Sequence, residues 1–357
     1  MQKPKIKVLV ADDSIITRKF LVKMLSNDPD IEVIGTANNG VEVIEFIRKT
    51  KPDVITMDIN MPIMDGFEAT INIMSEIPVP IVIVSSAYSS SEADKRFRAL
   101  EVGAVTIIPL PFGLGHPDFT KSMRHFVSTV KLMSEVKLIK RWNRSPYVSK
   151  SEEQITTSFK NEKEVNADFN IIAIGASAGG PMAVKEILDH LNVHLSVPII
   201  IVQHIDQDFT QGYADWLNLT SGVKVVIAKD GEVMEPGRAY MAPGDYHIGV
   251  KSLNSIHISK ELPESGLRPS VSFLFRSIRK VYRNKVLAIL LSGMGADGAY
   301  ELKLLKDEGS TTIAQDALSS LIHGMPGEAI KLGAASHILS PAEIAVFIQK
   351  CIPTLTK

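Results

Sequence analysis

The chain has 357 residues, 39 of them basic and 40 acidic, for a formal net charge of −1, so no global field draws it to nucleic acid or to an anionic membrane. That length suits about two domains with separate cores, and the single cysteine, Cys351, excludes an intramolecular disulfide framework and suits a reducing cytosol. The apolar runs at 8–10, 197–202 and 286–291 fall far short of the ~20 residues a membrane helix needs. The first is also too short for a signal sequence, so a soluble, cytoplasmic protein without direct membrane insertion is expected.

Strand and helix signals alternate from the start. Segments 6–10, 32–37, 54–57, 81–84 and 105–108 read as short buried strands, while Phe20, Leu21, Met24 and Leu25, then Val41, Ile44 and Ile47, carry helical spacing. Five such alternations predict a doubly wound parallel sheet, in which ligands bind beyond the carboxyl ends of the strands. Asp12 and Asp13 follow the first strand and Asp58 closes the third. Three carboxylates converging there repel one another unless a divalent cation neutralises them, and hard oxygen donors favour Mg²⁺. The plainer reading is ordinary surface acids at loop starts. Residues 60–66, NMPIMDG, hold Pro62 and Gly66 at positions suited to a fixed loop.

With these motifs, residues 3–122 resemble the receiver domain of two-component response regulators, a (βα)5 fold. The resemblance implies that Asp58 accepts a phosphoryl group, that Asp12, Asp13, Asp58 and the backbone carbonyl of Asn60 hold Mg²⁺, and that Ser85 is the hydroxyl residue that turns toward the phosphoryl group. One position departs. After the fifth strand the family carries a lysine beside a proline, whereas this chain reads Pro109-Leu110-Pro111. Leu110 cannot give a charge-assisted contact to phosphoryl oxygens, so phosphorylation with weaker activation is expected.

Phe126, Val130, Met133 and Val136 form a helical face within 121–140, and 141–166 is polar with mixed charge. That composition suits a mobile tether, or else an ordered loop packed along both domains. The expected division is a receiver at 3–122, a helix and linker at 123–166, and a second domain at 167–357.

The second domain opens with 171–181, IIAIGASAGGP. Ile171, Ile172, Ala173 and Ile174 suit a parallel strand covered on both faces. Gly175, Gly179 and Gly180 then allow a tight turn, and Pro181 suits a first helical turn ahead of Val184, Ile187, Leu188 and Leu191. Ser177 therefore sits at a strand-to-helix turn, near free N–H groups and a positive helix end. The G-x-S-x-G pattern matches a nucleophile elbow, but a phosphate-cradling loop fits the same residues.

The next strand, 198–203, ends at His204, and the run 286–291 ends at Ser292-Gly293-Met294-Gly295-Ala296-Asp297-Gly298. All three loops fall at one sheet edge, where His204 could act as base and Asp297 could orient it. Competing readings are a structural His204, a metal site with Asp206 and Asp208, and Asp297 as cap of the helix containing Leu302 and Leu305. His190, His194, His247, His257, His323 and His337 compete for any histidine role.

Together with the runs Ala242-Pro243-Gly244-Asp245-Tyr246-His247, Arg268-Pro269-Ser270-Val271, Ala314-Gln315-Asp316 and Gly324-Met325-Pro326, these loops make nearly the whole chain resemble the chemotaxis response regulator protein-glutamate methylesterases. The resemblance implies a doubly wound parallel α/β catalytic domain. It assigns Ser177, His204 and Asp297 to a catalytic triad, and the backbone N–H of Met294 to oxyanion stabilisation. It further implies hydrolysis of glutamate methyl esters and deamidation of glutamines on the cytoplasmic domains of methyl-accepting chemoreceptors, without a cofactor for the ester reaction. A chemotaxis histidine kinase would be the phosphodonor, with the unphosphorylated receiver restraining the active site. Ala178 stands where many relatives carry threonine, and Ile205-Asp206 replaces a common Met-Pro. A lost hydrogen bond beside Ser177 is worth about 0.5–1.5 kcal/mol, so a modest change in rate is expected. A receiver-controlled DNA-binding regulator and a non-catalytic adaptor are the alternatives from other classes.

Overall fold

The computed structural model of the protein describes residues 4–85, 93–136, 168–191 and 195–353, and the chain divides into two compact units, 1–145 and 146–357. In the first unit, β1 (Ile6–Ala11), β2 (Ile31–Ala37), β3 (Val54–Met57), β4 (Ile81–Ser85) and β5 (Thr106–Pro109) alternate with α1 (Ile15–Ser26), α2 (Gly40–Lys49), α3 (Gly66–Glu76), α4 (Ala93–Glu101) and α5 (Phe119–Met133). The strands form one parallel sheet in the order β2-β1-β3-β4-β5. Polar side chains set three of the helix starts: Ser14 accepts from Thr17 N–H, Asn39 from Glu42 N–H and Asp65 from Glu68 N–H.

The boundary expected at 122/123 falls inside α5. Phe126, Val130 and Met133 are buried, the Phe20 and Phe119 rings lie 6.4 Å apart, and Lys131 Nζ meets Asp28 and Asp30 at 3.1 and 2.7 Å. This helical face therefore packs within the first unit, and Val136 lies beyond the helix end. The polar stretch 141–166 is outside the described residues.

The second unit holds β6 (Ile171–Ala176), α6 (Gly180–Asp189), β7 (Ile199–Gln203), α7 (Gln207–Thr220), β8 (Lys224–Ile227), β9 (Arg238–Met241), β10 (His247–Ser252), β11 (Ser255–Ser259), α8 (Val271–Tyr282), β12 (Val286–Leu290), α9 (Ala299–Asp307), β13 (Thr311–Gln315), α10 (Met325–Lys331), β14 (His337–Leu339) and α11 (Pro341–Cys351). Seven strands form a parallel sheet in the order β14-β13-β12-β6-β7-β9-β8, and β10 and β11 make a separate antiparallel hairpin. Every residue of β6, β7 and β12 is buried, which explains their unbroken Ile, Val, Leu and Ala runs. The sequence pattern assigns no element between β7 and β12, where α7, β8, β9, the hairpin and α8 lie, nor the strands β13 and β14. Strands β8 to β11 are only four to six residues long and partly polar, so none stands out as an unbroken apolar run.

Candidate active site

Strand order fixes which loops meet. β6 has β7 on one side and β12 on the other, with Ala176 paired to Gln203 and Gly175 to Leu290. Ser177 and His204 thus each follow a paired residue, and the loop after β12 flanks them at the point where the chain changes winding direction. Backbone bonds tie the three connections: His204 N–H donates to Ala176 O at 2.9 Å and Ser177 N–H donates to Ser292 O at 3.0 Å. After the serine, Gly179 (φ +77°) turns the chain into α6 with Pro181 in its first turn.

His204 Nε2 lies 3.0 Å from Asp297 Oδ2, with both side chains nearly buried. Asp297 is further held by α8: Oδ2 accepts from Val271 N–H at 2.7 Å, and Oδ1 accepts from Ser272 N–H at 3.0 Å and Ser270 Oγ at 2.9 Å. The carboxylate thus sits at the amino end of α8, where free N–H groups and the helix dipole favour an anion. It does not cap α9, the helix of Leu302 and Leu305, whose N-cap is Gly298 with φ +82°. Burial pushes the Asp297 carboxyl up, but hydrogen bonds from His204 and Ser272, together with the charge of His204, outweigh it. The group is held below the ordinary carboxylate range.

An ionised Asp297 can only accept, so Nε2 of His204 carries the shared proton. In the neutral ring this leaves the Nδ1 lone pair free to act as a base. Ser177 Oγ makes no hydrogen bond to His204 here; without substrate, catalytic hydrogen bonds are often long or poorly aligned. The Met294 N–H has no acceptor among the described residues, and Met294 is an exposed residue of the loop after β12.

The scaffold around the serine includes residues whose roles the sequence reading misses. Buried Gln203 donates from Nε2 to the carbonyls of Ser177 (2.8 Å) and His204 (3.1 Å), bracing both loops. Ser292 Oγ reaches Ala178 O at 2.8 Å and Ile322 O at 3.2 Å and accepts from Ile322 N–H at 3.0 Å, so one hydroxyl joins the connections after β6, β12 and β13. A polar residue at the end of each apolar strand is the only signal that could have found them.

Of the other histidines, His190, His257 and His337 have partners of their own, while His323 and His247 stand beside the loops of the site. His190 Nδ1 bonds Glu186 O at 2.8 Å, His257 faces Asp230 at 3.4 Å, and the ring of His337 lies 4.9 Å from that of Phe347. His323 bridges to Gly293, and His194 falls outside the described residues. Asp206 caps α7 through Asp208 N–H, and the metal-like cluster among the described residues does not include them.

That cluster is Asp12, Asp13 and Asp58, each offering an oxygen within 4.8 Å of the others. Ala11 pairs with Met57, so Asp12 and Asp58 leave adjacent strands at the switch point of the first sheet. Burial first, then the charge of Asp12, pushes Asp58 up to about 6, against hydrogen bonds from Ile59 and Asn60 N–H. Burial likewise lifts Asp12 to about 6, with Asp13 adding repulsion and the Ser14 N–H opposing it. Three oxygens crowded at this mutual cost match what a hard divalent cation requires. Ser85 ends β4 and is buried. Leu110 N–H donates to Ser85 O at 3.0 Å, which puts Leu110 at the same strand edge.

Comparison with known proteins agrees with this division. Residues 172–348 match the family model for CheB methylesterase and residues 8–116 match that for the response regulator receiver domain. The chain is 45% identical over 345 residues to protein-glutamate methylesterase/protein-glutamine glutaminase 1 of Syntrophus aciditrophicus, covering 97% of this chain and 98% of that protein. It is 48% identical over 340 residues to protein-glutamate methylesterase/protein-glutamine glutaminase 4 of Geobacter metallireducens, covering 95% and 96%. Among solved structures it is similar to the Thermotoga maritima CheB methylesterase catalytic domain, with 35% identity and a TM-score of 0.49 over 50% of this chain and 97% of that one. With relatives of this identity matched from end to end, the chain belongs to the protein-glutamate methylesterase/protein-glutamine glutaminase family, with a response regulator receiver domain preceding a methylesterase domain.

Proposed function

We propose that the second unit hydrolyses glutamate methyl esters on the cytoplasmic domains of chemoreceptors, with Ser177 as nucleophile, His204 as base and Asp297 as the acid that orients it. The observation that carries this reading is the 3.0 Å contact of His204 Nε2 with Asp297 Oδ2 beside the turn that bears Ser177. Ser177 Oγ attacks the ester carbonyl as its proton passes to Nδ1 of His204, and the Met294 N–H receives the developing oxyanion. Collapse breaks the carbon–methoxy bond, and His204 returns the proton to give methanol. Water then attacks the acyl-serine with His204 again as base, releasing glutamate and restoring the hydroxyl. Glutamine side chains enter the same cycle with ammonia as leaving group.

Phosphorylation of Asp58 by a chemotaxis histidine kinase raises this activity, and the protein works in the cytoplasm alongside its receptors. Asp12, Asp13, Asp58 and the Asn60 carbonyl would hold Mg²⁺, which when bound neutralises charge around the phosphoryl group. Ser85 turns its hydroxyl toward that group. At position 110 no cation is supplied.

The test is methanol release from methylated receptor, with and without a phosphoryl donor. Ser177→Ala should lower kcat on the order of a millionfold while substrate binding is kept. A Ser177→Ala protein that still releases methanol at the parent rate would overturn the reading.

A further inference from the structure

Behind Asp297 stands a histidine that has no part in the reaction as written above. His247 opens β10, is fully buried, and stacks on Phe273 with ring centroids 4.5 Å apart. Both of its nitrogens face backbone: Nδ1 lies 3.2 Å from Ser270 N and Nε2 lies 3.2 Å from Leu262 O. A backbone N–H can only donate and a carbonyl can only accept, so Nδ1 is the acceptor and Nε2 carries the ring's single proton. Ser270, also fully buried, sends its hydroxyl to Asp297 Oδ1 at 2.9 Å and accepts Phe273 N–H at 3.3 Å. Arg268 fixes the far end of the series. It holds Asp245 Oδ1 at 2.8 Å and donates to the carbonyls of Lys260 and Glu261, just before Leu262.

We infer that His247 is a positioning residue for hydrolysis: as a neutral, Nε2-protonated imidazole it holds Ser270, whose hydroxyl keeps the Asp297 carboxylate turned toward His204. This rests on the reading of Ser177, His204 and Asp297 given above. The opposite tautomer, or a charged ring, would set two donors face to face at Ser270 N–H and leave both buried without acceptors. The stack on Phe273 and the Leu262 carbonyl hold the ring in the orientation the series needs.

The experiment uses the full chain, methanol release from methylated receptor, and the downfield proton resonance of His204 Nε2–H. His247→Phe keeps the ring and its stack but accepts no hydrogen bond; it should lower kcat about tenfold with KM unchanged and move the His204 resonance. His247→Asn leaves an oxygen near the place of Nδ1 and should stay within about twofold of the parent. Ser270→Ala, made in case His247→Phe does not fold, should reproduce the loss with His247 intact. The double variant should be no slower than the worse single one, because the two residues act in series. Parent-like kcat and resonance in both single variants, additive losses in the double, or His247→Asn as slow as His247→Phe would each overturn the inference. Methanol release retained in Ser177→Ala would instead remove the reading beneath it.

Discussion

Asp297 Oδ2 and His204 Nε2 meet at 3.0 Å across 93 positions of chain, and the same carboxylate closes the amino end of α8 through Val271 and Ser272. One side chain thus anchors a helix and orients an imidazole. Asp297→Asn should keep the fold but set an amide N–H where His204 needs an acceptor, lowering kcat roughly ten-thousandfold. Methanol-release kinetics check this, and a loss below tenfold would show that the imidazole is held by other means.

The same carboxylate predicts an acid sensitivity with a definite sign. Its pKa is held low in the fold, so its contribution to stability is fully present above the unfolded value of about 3.9 and is lost as pH falls below it. Urea midpoints taken from about pH 5 down to about pH 2, followed by the fluorescence of buried Trp216 in a Trp142→Phe background, should fall below about pH 4 more steeply for the parent than for Asp297→Asn. Equal slopes would contradict the assignment.

Gly293 is a contact point between the loops. A Cβ there would lie 2.6 Å from Ser177 Cβ and would also clash with Met325 Sδ. Gly293→Ala should therefore cost about 1–3 kcal/mol of stability through overpacking and lower kcat by displacing Ser177 and the Met294 N–H. Gly295→Ala meets nothing within 4 Å and carries only the strain of φ +84°, about 1–2 kcal/mol. Thermal unfolding and kcat measured together separate the two. Equal activity losses would argue that the loop tip, not the contact, matters.

Chelation of divalent cations should abolish stimulation by a small-molecule phosphodonor while leaving the basal methanol release unchanged, because the three acids that crowd within 4.8 Å belong to the first unit. Asp58→Asn should behave identically. Stimulation that survives chelation would remove the cation from the scheme.

Leu110 follows the residue paired with Ser85, so a lysine there starts from the strand end nearest the acids. Leu110→Lys should increase the stimulation by a phosphoryl mimic, since a cation adds a charge-assisted contact that leucine lacks. Unchanged stimulation would mean that another base already serves.

The first sheet and the centre of the second, β6, β7 and β12, were legible because most of those strands are buried on both faces and read as mostly apolar runs; β8, β9, β13 and β14 were not read. Ile171 to Ile174 and the acids after β1 and β3 are the plainest cases. Ser177 and His204 each follow directly on an apolar strand, β6 and β7, whereas Asp297 stands well beyond the end of β12, and only the family resemblance named the three together. The hairpin of β10 and β11 was not read, although Ser255 to Ser259 alternates polar and apolar residues; its strands are short, and β10 mixes His247, Gly249 and Lys251 among its apolar positions. Nor was the supporting layer. Nothing local to Ser270 or Ser292 says that its hydroxyl reaches a partner 27 or 114 positions away. The boundary expected at 122 falls inside α5 for a related reason: Phe126 and Val130 show a helix, but where it docks is seen in Phe119 against Phe20 and in Lys131 meeting Asp28 and Asp30.

Ser292 makes the connections after β6, β12 and β13 a single unit for inheritance and for engineering. Its one oxygen touches Ala178 and both the carbonyl and the amide of Ile322, so a loop grafted from a relative works only if it arrives with atoms that meet that oxygen. Variation is free at the outward tips, as at Leu318, which is 86% exposed, and is blocked at the knot. Retargeting such an enzyme to another ester therefore means redesigning the rims and leaving the hydroxyl beneath them alone.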